Sequence, residues 1–299
     1  MKQASEPSEP ETVGRSVLIT GASSGIGLAT AMELSRAGYD VYATVRTASK
    51  ARRLAQRASE RGLSITPVTC DVGDAASCER GIGEVNEATG GAPWAVINNA
   101  GYAQAGAVED VTDDLARAQL EVNLIAPARV ARLVLPGMRQ RGDGRILNVS
   151  SIAGRVSSPL TGWYCASKAG LESLTDALRV EVAPFGVKVV LIEPGGFGTG
   201  IWAGGNEGLP RPAHDTYAAA YARSDALAAN SHRLPDPIWV ARVIRLALAS
   251  PVPLPRYLIG VDAAWAKLAD FVAPTVVADY VKGVATGLRQ LPIRIPFVN

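Results

Sequence analysis

The stretch Ser16–Gly27, SVLITGASSGIG, decides the fold. Its first five residues, Ser16–Thr20, are mostly apolar or β-branched and predict a short buried strand. Glycines follow at positions 21, 25 and 27, and the pattern of Gly25–Ala37 predicts a helix that begins within this glycine cluster. The first backbone N–H groups of a helix bind phosphate, and glycines let a phosphate approach the backbone closely. The stretch therefore predicts a strand, a glycine loop and a helix that together bind a dinucleotide.

Strand-like and helix-like segments alternate outward from this stretch. The further predicted strands are Asp40–Val45, Ser64–Thr69, Trp94–Ile97, Arg145–Ser150, Val187–Ile192 and Arg256–Gly260. The further predicted helices are Ala48–Arg61, one capped by Asp74, Asp113–Arg141 with a break near Pro127, Thr161–Val182 and Pro237–Ala249. Such alternation predicts an α/β protein: a single-domain Rossmann fold with a doubly wound parallel sheet of about seven strands and helices on both faces.

Composition narrows the classes of function. The 299 residues are 47% hydrophobic, and 30 basic against 28 acidic residues leave a net charge of +2. This balance gives no case for a nucleic-acid partner. Three cysteines without a CxxC motif, together with two histidines, predict neither a disulfide framework nor a metal site. A reducing, cytoplasmic location is expected.

The chain is predicted to hold one domain, residues 15–299, behind a disordered polar leader, residues 1–14. The segment Ala263–Val284 is apolar, but four charged residues interrupt it, so it predicts amphipathic helices rather than a membrane span. A C-terminal helical segment is expected at about 262–290. The loosely patterned region 198–236 is expected to bind the substrate.

The glycine spacing G-x3-G-x-G, read as TGxxxGIG, resembles that of the short-chain dehydrogenase/reductase family. The resemblance continues through most of the later landmarks of the chain. It implies that the loop residues touch the cofactor; these are Gly21, Ser23, Ser24, Gly25, Ile26 and Gly27.

The residue after the second strand bears on the choice of cofactor. An NAD enzyme places a carboxylate at the end of this strand to bind the ribose, whereas this chain has Val45 followed by Arg46. A guanidinium pairs with a 2′-phosphate, which favours NADP(H) over NAD(H). Alternatively, Arg46 simply begins a basic helix. The resemblance also implies that Asp71 and Val72 contact adenine.

Tyr164 and Lys168 are four residues apart in YCASK, so they share one face of the predicted helix. A nearby ammonium favours the phenolate and lowers a tyrosine pKa toward the working range. The resemblance implies that Tyr164 is the general acid/base and that Lys168 tunes it and binds the nicotinamide ribose. It further implies that Ser151, thirteen residues upstream, holds the substrate oxygen, with Ser150 as the alternative. Asn123 matches a family asparagine that holds a water near Lys168.

Two further segments match family positions around the cofactor. NNAG at 98–101 follows the fourth strand, and EPGGFGT at 193–199 closes the sixth. The cofactor contacts implied there are Asn98, Ala100, Gly101, Pro194, Gly195, Phe197 and Thr199.

The resemblance implies an oxidoreductase that interconverts a ketone or aldehyde and an alcohol, forming a homodimer or homotetramer through Asp113–Arg141 and Thr161–Val182. The runs VYATVR, YCASK and EPGGF are most similar to those of hydroxysteroid and retinol dehydrogenases, which implies a lipophilic substrate. Two alternatives are a non-catalytic NADP(H) sensor and a family epimerase or dehydratase. Apolar side chains that line a substrate pocket or pack in the core are Ile201, Trp202, Leu209, Tyr217, Tyr221, Trp265, Leu268 and Phe271.

Overall fold

A computed structural model describes residues 14–202 and 215–289. Seven strands in this part of the chain form one parallel sheet with the order β3-β2-β1-β4-β5-β6-β7. The strands are β1 (Ser16–Ile19), β2 (Asp40–Val45), β3 (Thr66–Thr69), β4 (Ala95–Asn98), β5 (Gly144–Val149), β6 (Val187–Pro194) and β7 (Arg256–Ile259). The predicted doubly wound α/β fold is confirmed.

Helices cover both faces of the sheet. They are α1 (Gly25–Arg36), α2 (Ala48–Ser59), α3 (Ala75–Ala88), α4 (Asp113–Leu120), α5 (Ala126–Arg141), α6 (Gly162–Val182), α7 (Ala218–Ala229), α8 (Ile238–Ala249), α9 (Val261–Val272) and α10 (Thr275–Thr286). On β1, Val17 and Ile19 join the core under α1, α2 and α8, whereas Leu18 joins the core under α3 and α5. Because both faces of β1 are covered, Val17–Ile19 reads as a continuous apolar run.

Strand β1 lies at the reversal point of the sheet. It pairs with β2 on one side and with β4 on the other, so the chain crosses over between β3 and β4. In open parallel sheets, the crevice at the carboxyl ends of strands beside such a point binds ligands. The glycine loop follows β1 at this edge, and the ends of β4, β5 and β6 lie beside it.

The long helix predicted over 113–141 is interrupted earlier than expected. A π-helical turn, Glu121–Ile125, separates α4 from α5. Pro127, where a break was predicted, lies in the first turn of α5. The N–H of Ala126, the residue before it, donates to the Glu121 carbonyl, so the chain is already helical where the proline stands. The irregularity in the helix therefore lies in the π-helical turn that precedes the proline.

The C-terminal segment forms two helices, α9 and α10, as its amphipathic pattern predicted. Their packing is slight, since Ala263 and Gly283 are their buried residues. Trp265 and Phe271 are 66% and 90% exposed, so they line no enclosed pocket and belong to no core cluster of the described residues. None of the helices within 14–202 and 215–289 combines the length and apolarity required to cross a bilayer.

Several expectations fall on residues outside the described ranges. These are the leader up to residue 13, Leu209 and the rest of 203–214 within the expected substrate segment, and the last residues from 290 onward.

Candidate active site

The glycine loop after β1 is held in place by its neighbours. Gly21 has a φ of +70°, which favours glycine, and its N–H donates to Thr44 Oγ1 at 3.2 Å. Asn99 Nδ2 donates to the carbonyls of Thr20 and Gly21 at 2.9 and 3.2 Å. A Cβ at Gly27 would lie 2.4 Å from that Asn99 nitrogen and 2.5 Å from the Gly21 oxygen. The backbone therefore closes in a way that excludes any larger residue at position 27.

The start of α1 offers unsatisfied donors. Ser24 precedes the helix in an extended conformation, and its side chain makes no capping hydrogen bond. The first N–H groups of a helix, here those of Gly25, Ile26 and Gly27, have no helical acceptor. The helix dipole adds positive partial charge at the same place. These free donors on a glycine-lined turn fit the pyrophosphate of a dinucleotide.

Two predicted cofactor residues beyond the loop lie at the neighbouring strand ends. Arg46 follows the last residue of β2, and its side chain is exposed. Asp71 follows β3, and its Oδ1 accepts the Gly73 N–H at 3.0 Å. Val72, also predicted, is buried and lines a small pocket together with Asn98 and Ala100.

Asn98 links two strands. Its Nδ2 donates to Asn148 Oδ1 at 2.8 Å, which joins the end of β4 to β5, and the residue is 3% exposed. Asn98 therefore links β4 to β5 through its side chain, a position distinct from the cofactor contact that the resemblance implies. Ala100 N donates to Thr20 Oγ1 at 3.0 Å. Gly101 faces the other side of the crevice, since a Cβ there would lie 3.1 Å from Asn123 Oδ1 and 3.7 Å from Lys168 Nζ.

Tyr164 and Ser151 meet at the carboxyl edge of the sheet. Ser151 follows β5, Tyr164 lies in the first turn of α6, and their side chains are hydrogen-bonded. Tyr164 is buried, and this burial raises its pKa to about 12, although the bond with Ser151 acts in the opposite direction. Ser151 Oγ also lies 3.5 Å from the Pro194 carbonyl oxygen at the end of β6.

Lys168 lies one turn further along α6 on the same face. Its Nζ is 6.0 Å from the centre of the Tyr164 ring. Desolvation lowers the pKa of Lys168 to about 8, and the charge of Glu172 partly opposes this. A buried phenol with a hydroxyl partner and an ammonium nearby can exchange a proton with a bound oxygen atom.

Asn123 lies in the π-helical turn and is fully buried. Its Nδ2 donates to the Tyr102 carbonyl and to Ser167 Oγ, both at 3.0 Å, and its Oδ1 accepts the Tyr102 N–H at 3.2 Å. Ser167 precedes Lys168, so Asn123 joins the loop after β4 to α6. The π-turn, a feature frequent at functional sites, places this amide between the two.

The predicted residues after β6 divide into two groups. Thr199 lies beside the glycine loop, since a Cβ at Gly25 would be 3.3 Å from its Cβ. Phe197 instead belongs to the core cluster under α1 and α8. Gly195 packs against the carboxylate of Asp262, with its missing Cβ only 2.4 Å from Oδ1. Phe197 and Gly195 therefore hold the segment after β6 in place by packing against the core and against Asp262.

Several residues near the site were not predicted. Leu160, four positions before Tyr164, has a φ of +60°, and in the described chain it is the one non-glycine residue with positive φ. Its carbonyl accepts the Gly106 N–H at 2.7 Å. Asp262 accepts the Gly196 N–H at 2.6 Å. Leucine at positive φ has no sequence signal, and Asp262 is separated from its partner by 66 residues.

Comparison with known proteins agrees with this architecture. The profile described as short chain dehydrogenase matches residues 15–209. The chain is 36% identical to the uncharacterized oxidoreductase YusZ of Bacillus subtilis, over 81% of this chain and 88% of the relative. It is 34% identical to human 17-beta-hydroxysteroid dehydrogenase type 1, over 81% of this chain and 76% of that protein.

Solved structures match as well. A short-chain dehydrogenase from Streptomyces avermitilis superposes with a TM-score of 0.76 at 31% identity, covering 94% of this chain and all of that one. An actinorhodin polyketide ketoreductase variant solved with NADPH gives a TM-score of 0.70 at 29% identity, covering 85% and 97%. The chain therefore belongs to the short-chain dehydrogenase/reductase family, and it is an oxidoreductase that acts on CH–OH groups.

Proposed function

We propose that this protein is an NADP(H)-dependent oxidoreductase that interconverts a ketone or aldehyde and an alcohol, with Tyr164 as general acid/base. The observation that carries the proposal is the meeting of Ser151, Tyr164 and Lys168 at the sheet edge beside the glycine loop. A binding module without catalysis has no need for a buried phenol held between a hydroxyl and an ammonium.

The chain's own groups have separate tasks in this proposal. NADPH, when bound, supplies the hydride for carbonyl reduction. Tyr164 donates its proton to the carbonyl oxygen as negative charge develops there, and Ser151 donates a hydrogen bond to the same oxygen. Lys168 keeps a positive charge near the phenol, which favours proton release. In the oxidative direction Tyr164 accepts the proton.

Asn123 stabilises this arrangement by joining the loop after β4 to α6 through its hydrogen bonds. Its amide also lies beside Gly101, next to the Lys168 ammonium. We include it in the proposed catalytic set, together with Ser151, Tyr164 and Lys168, because its loss would free the helix face that carries the ammonium.

The preference for NADP(H) over NAD(H) rests on charge at the end of β2. Val45 stands where an acidic residue would bind the ribose of NAD, and Arg46 follows it, next to α2, which is basic. A shallow pocket at this place is lined by three cationic side chains, Lys50, Arg53 and Arg57, together with Ser23, Leu28 and Leu54. Arg46→Ala should raise the KM for NADPH about tenfold while leaving that for NADH within twofold. Arg36→Ala on α1 is the control.

A lipophilic, steroid- or retinoid-like substrate is the proposed class. The support is the name of the human relative and the aromatic side chains of Tyr217 and Tyr221, which pack beside Leu160 close to the site.

We also propose a homodimer or homotetramer through α4–α6, where Ile125 and Val180 are 46% and 74% exposed. The free cysteines of the described chain support a cytoplasmic location.

Tyr164→Phe tests the function. With a panel of steroid, retinoid and small ketones, the wild type should oxidise NADPH, and the variant should lose a factor of about 10²–10⁴ in kcat. NADPH binding, measured by cofactor fluorescence, should stay within twofold. Tyr280→Phe on α10 is the matched control and should retain full turnover. Retained turnover in Tyr164→Phe would contradict the assignment, and NADPH binding without oxidation in the wild type would favour a sensor.

A further inference from the structure

Four charged side chains meet beneath the Tyr164–Lys168 face of α6. Glu172 lies on α6, Glu193 on β6 and Arg256 on β7, and Arg155 follows the 3₁₀ turn Ile152–Gly154. We call these four residues the charge cluster. Arg256 Nη1 lies 2.8 Å from Glu172 Oε2 and 2.6 Å from Glu193 Oε1. Arg155 lies 2.9 Å from Glu172 through Nε and 3.2 Å from Glu193 through Nη2.

The cluster is buried at its acidic centre. The Glu193 and Glu172 side chains are 1% and 7% exposed, whereas the Arg155 and Arg256 side chains are 29% and 25% exposed. The pKa of Glu172 is raised above its ordinary value, first by burial and then by the charge of Glu193. Arg256 and Arg155 oppose this rise only in part. Since apolar residues often replace such buried ion pairs without loss of stability, the cluster calls for an explanation other than stability.

The charge cluster contacts the chain both before and after Ser151. Ser150 Oγ donates to Glu172 Oε1 at 3.0 Å. Arg155 ends the short turn that begins at Ser151, where the Ala153 N–H donates to Ser151 Oγ at 3.2 Å. A Cβ at Gly154 would lie 2.7 Å from Glu172 Oε1, so the turn packs directly on this carboxylate.

Glu172 also acts on Lys168, which lies one helical turn before it. The other groups around the ammonium are the Tyr164 phenol on the same helix, the Val149 carbonyl of β5 and the neutral amide of Asn123. Glu172 is the acidic group whose charge acts on Lys168 and favours its protonated form. The groups that face Glu172 itself are Arg155, Ser150, Glu193 and Arg256.

We propose that Glu172 is a positioning residue for the reaction: it fixes the turn that carries Ser151, and it lies one helical turn beyond Lys168 on the same face of α6. The inference rests on the proposed function, because it concerns how Ser151 and Lys168 serve that reaction. Neither the family match nor the sequence pattern assigns Glu172 this part.

The experiment compares Glu172→Gln, Glu172→Asp and Asp176→Asn in the full chain. Asp176 is a matched control because it lies one turn further on α6 and pairs with Arg256, but within the described residues it forms no hydrogen bond or ion pair with Ser150 or Lys168. For each protein, kcat, the KM for NADPH, the pH profile of ketone reduction and the thermal midpoint are measured with one ketone that the wild type reduces.

Glu172→Gln should lower kcat about tenfold or more, with the KM for NADPH within about twofold. The alkaline limb of its kcat profile should move to lower pH by about 0.5 pH units, because Lys168 loses the negative charge that favours its protonated form. Asp176→Asn should keep both kcat and the limb, whatever its thermal midpoint.

Glu172→Asp separates the two effects. It keeps the charge, so its alkaline limb should coincide with that of the wild type, while its shorter side chain should still lower kcat severalfold. If Glu172→Gln does not fold, Glu172→Asp carries the test, and wild-type kcat in it overturns the proposal. A lower thermal midpoint with unchanged kcat and limb in Glu172→Gln overturns it too. A wild type without ketone reductase activity instead refutes the proposed function.

Discussion

Lys168 Nζ donates a 2.8 Å hydrogen bond to the backbone carbonyl of Val149, the last residue of β5. This bond ties α6 to the strand that leads into Ser151, and it places the ammonium where water is excluded. The pKa of Lys168 falls from its ordinary 10.5 to about 8 because the charged form loses hydration, despite the opposing charge of Glu172. The fold therefore retains a cation that it would be more stable without.

Lys168→Met should make the protein more stable at pH 7, by about 1–3 kcal/mol in the free energy of unfolding after the lost hydrogen bond is counted. Between the folded pKa of about 8 and the ordinary 10.5, the unfolded wild type binds more protons than the folded one. Wild-type stability thus rises with pH across this window. The difference between the two proteins should narrow there, as urea unfolding at several pH values can measure. A difference independent of pH would contradict the lowered pKa.

Gly27→Ala should disable the glycine loop, because its Cβ would lie 2.4 Å from Asn99 Nδ2 and 2.5 Å from the Gly21 oxygen. We expect the Kd for NADPH to rise at least about tenfold, since the backbone must move away from the phosphate. Gly83→Ala on α3 is the control: its Cβ meets nothing within 4 Å, so it should add about 0.5–1 kcal/mol of stability. Equal affinity for NADPH in both variants would show that the glycine loop tolerates a side chain at position 27.

Asn123→Ala should lower the free energy of unfolding by about 2–3 kcal/mol, because the Tyr102 N–H and the Ser167 hydroxyl lose a buried partner. Denaturant unfolding measures this loss. The control, Asn230→Ala at the exposed end of α7, should change stability by less than about 0.5 kcal/mol. A loss in Asn123→Ala no larger than in the control would show that the π-turn amide is dispensable to the fold.

Tyr221→Phe should loosen α7 over the proposed substrate side of the crevice. The Tyr221 hydroxyl donates to Asp110 Oδ2 at 2.6 Å and accepts the Ala107 N–H at 2.9 Å. Burial, together with Asp110, raises the Tyr221 pKa to about 12, so the phenol stays protonated at neutral pH. We expect a severalfold higher KM for the ketone and an unchanged Kd for NADPH. An unchanged KM for the ketone together with a higher Kd for NADPH would instead place α7 at the cofactor.

The sheet and the Tyr164 face were predictable because their signals are local. The stretch Val189–Ile192 of β6 reads as a continuous apolar run since all four residues are buried, and the four-residue spacing of Tyr164 and Lys168 places both on one helix face. The partners of Glu172 were not predictable in this way. Arg256 lies 84 positions away, and only the sheet order brings it beside α6. The amphipathic pattern of the C-terminal segment likewise could not tell that Trp265 is exposed.

The π-turn Glu121–Ile125 has a consequence for how the chain tolerates insertions and deletions. Each residue of an α-helix advances the helix by about 100°, so a turn that holds one residue more shifts the phase of everything after it. Deleting one residue there would restore a regular helix and rotate the buried side chains of α5, such as Val130, Val134 and Met138, out of the core. An added residue would shift the phase in the opposite sense. The number of residues between Thr112 and Gly142 is therefore fixed by two separate demands, a buried amide at one end and a packed helix at the other.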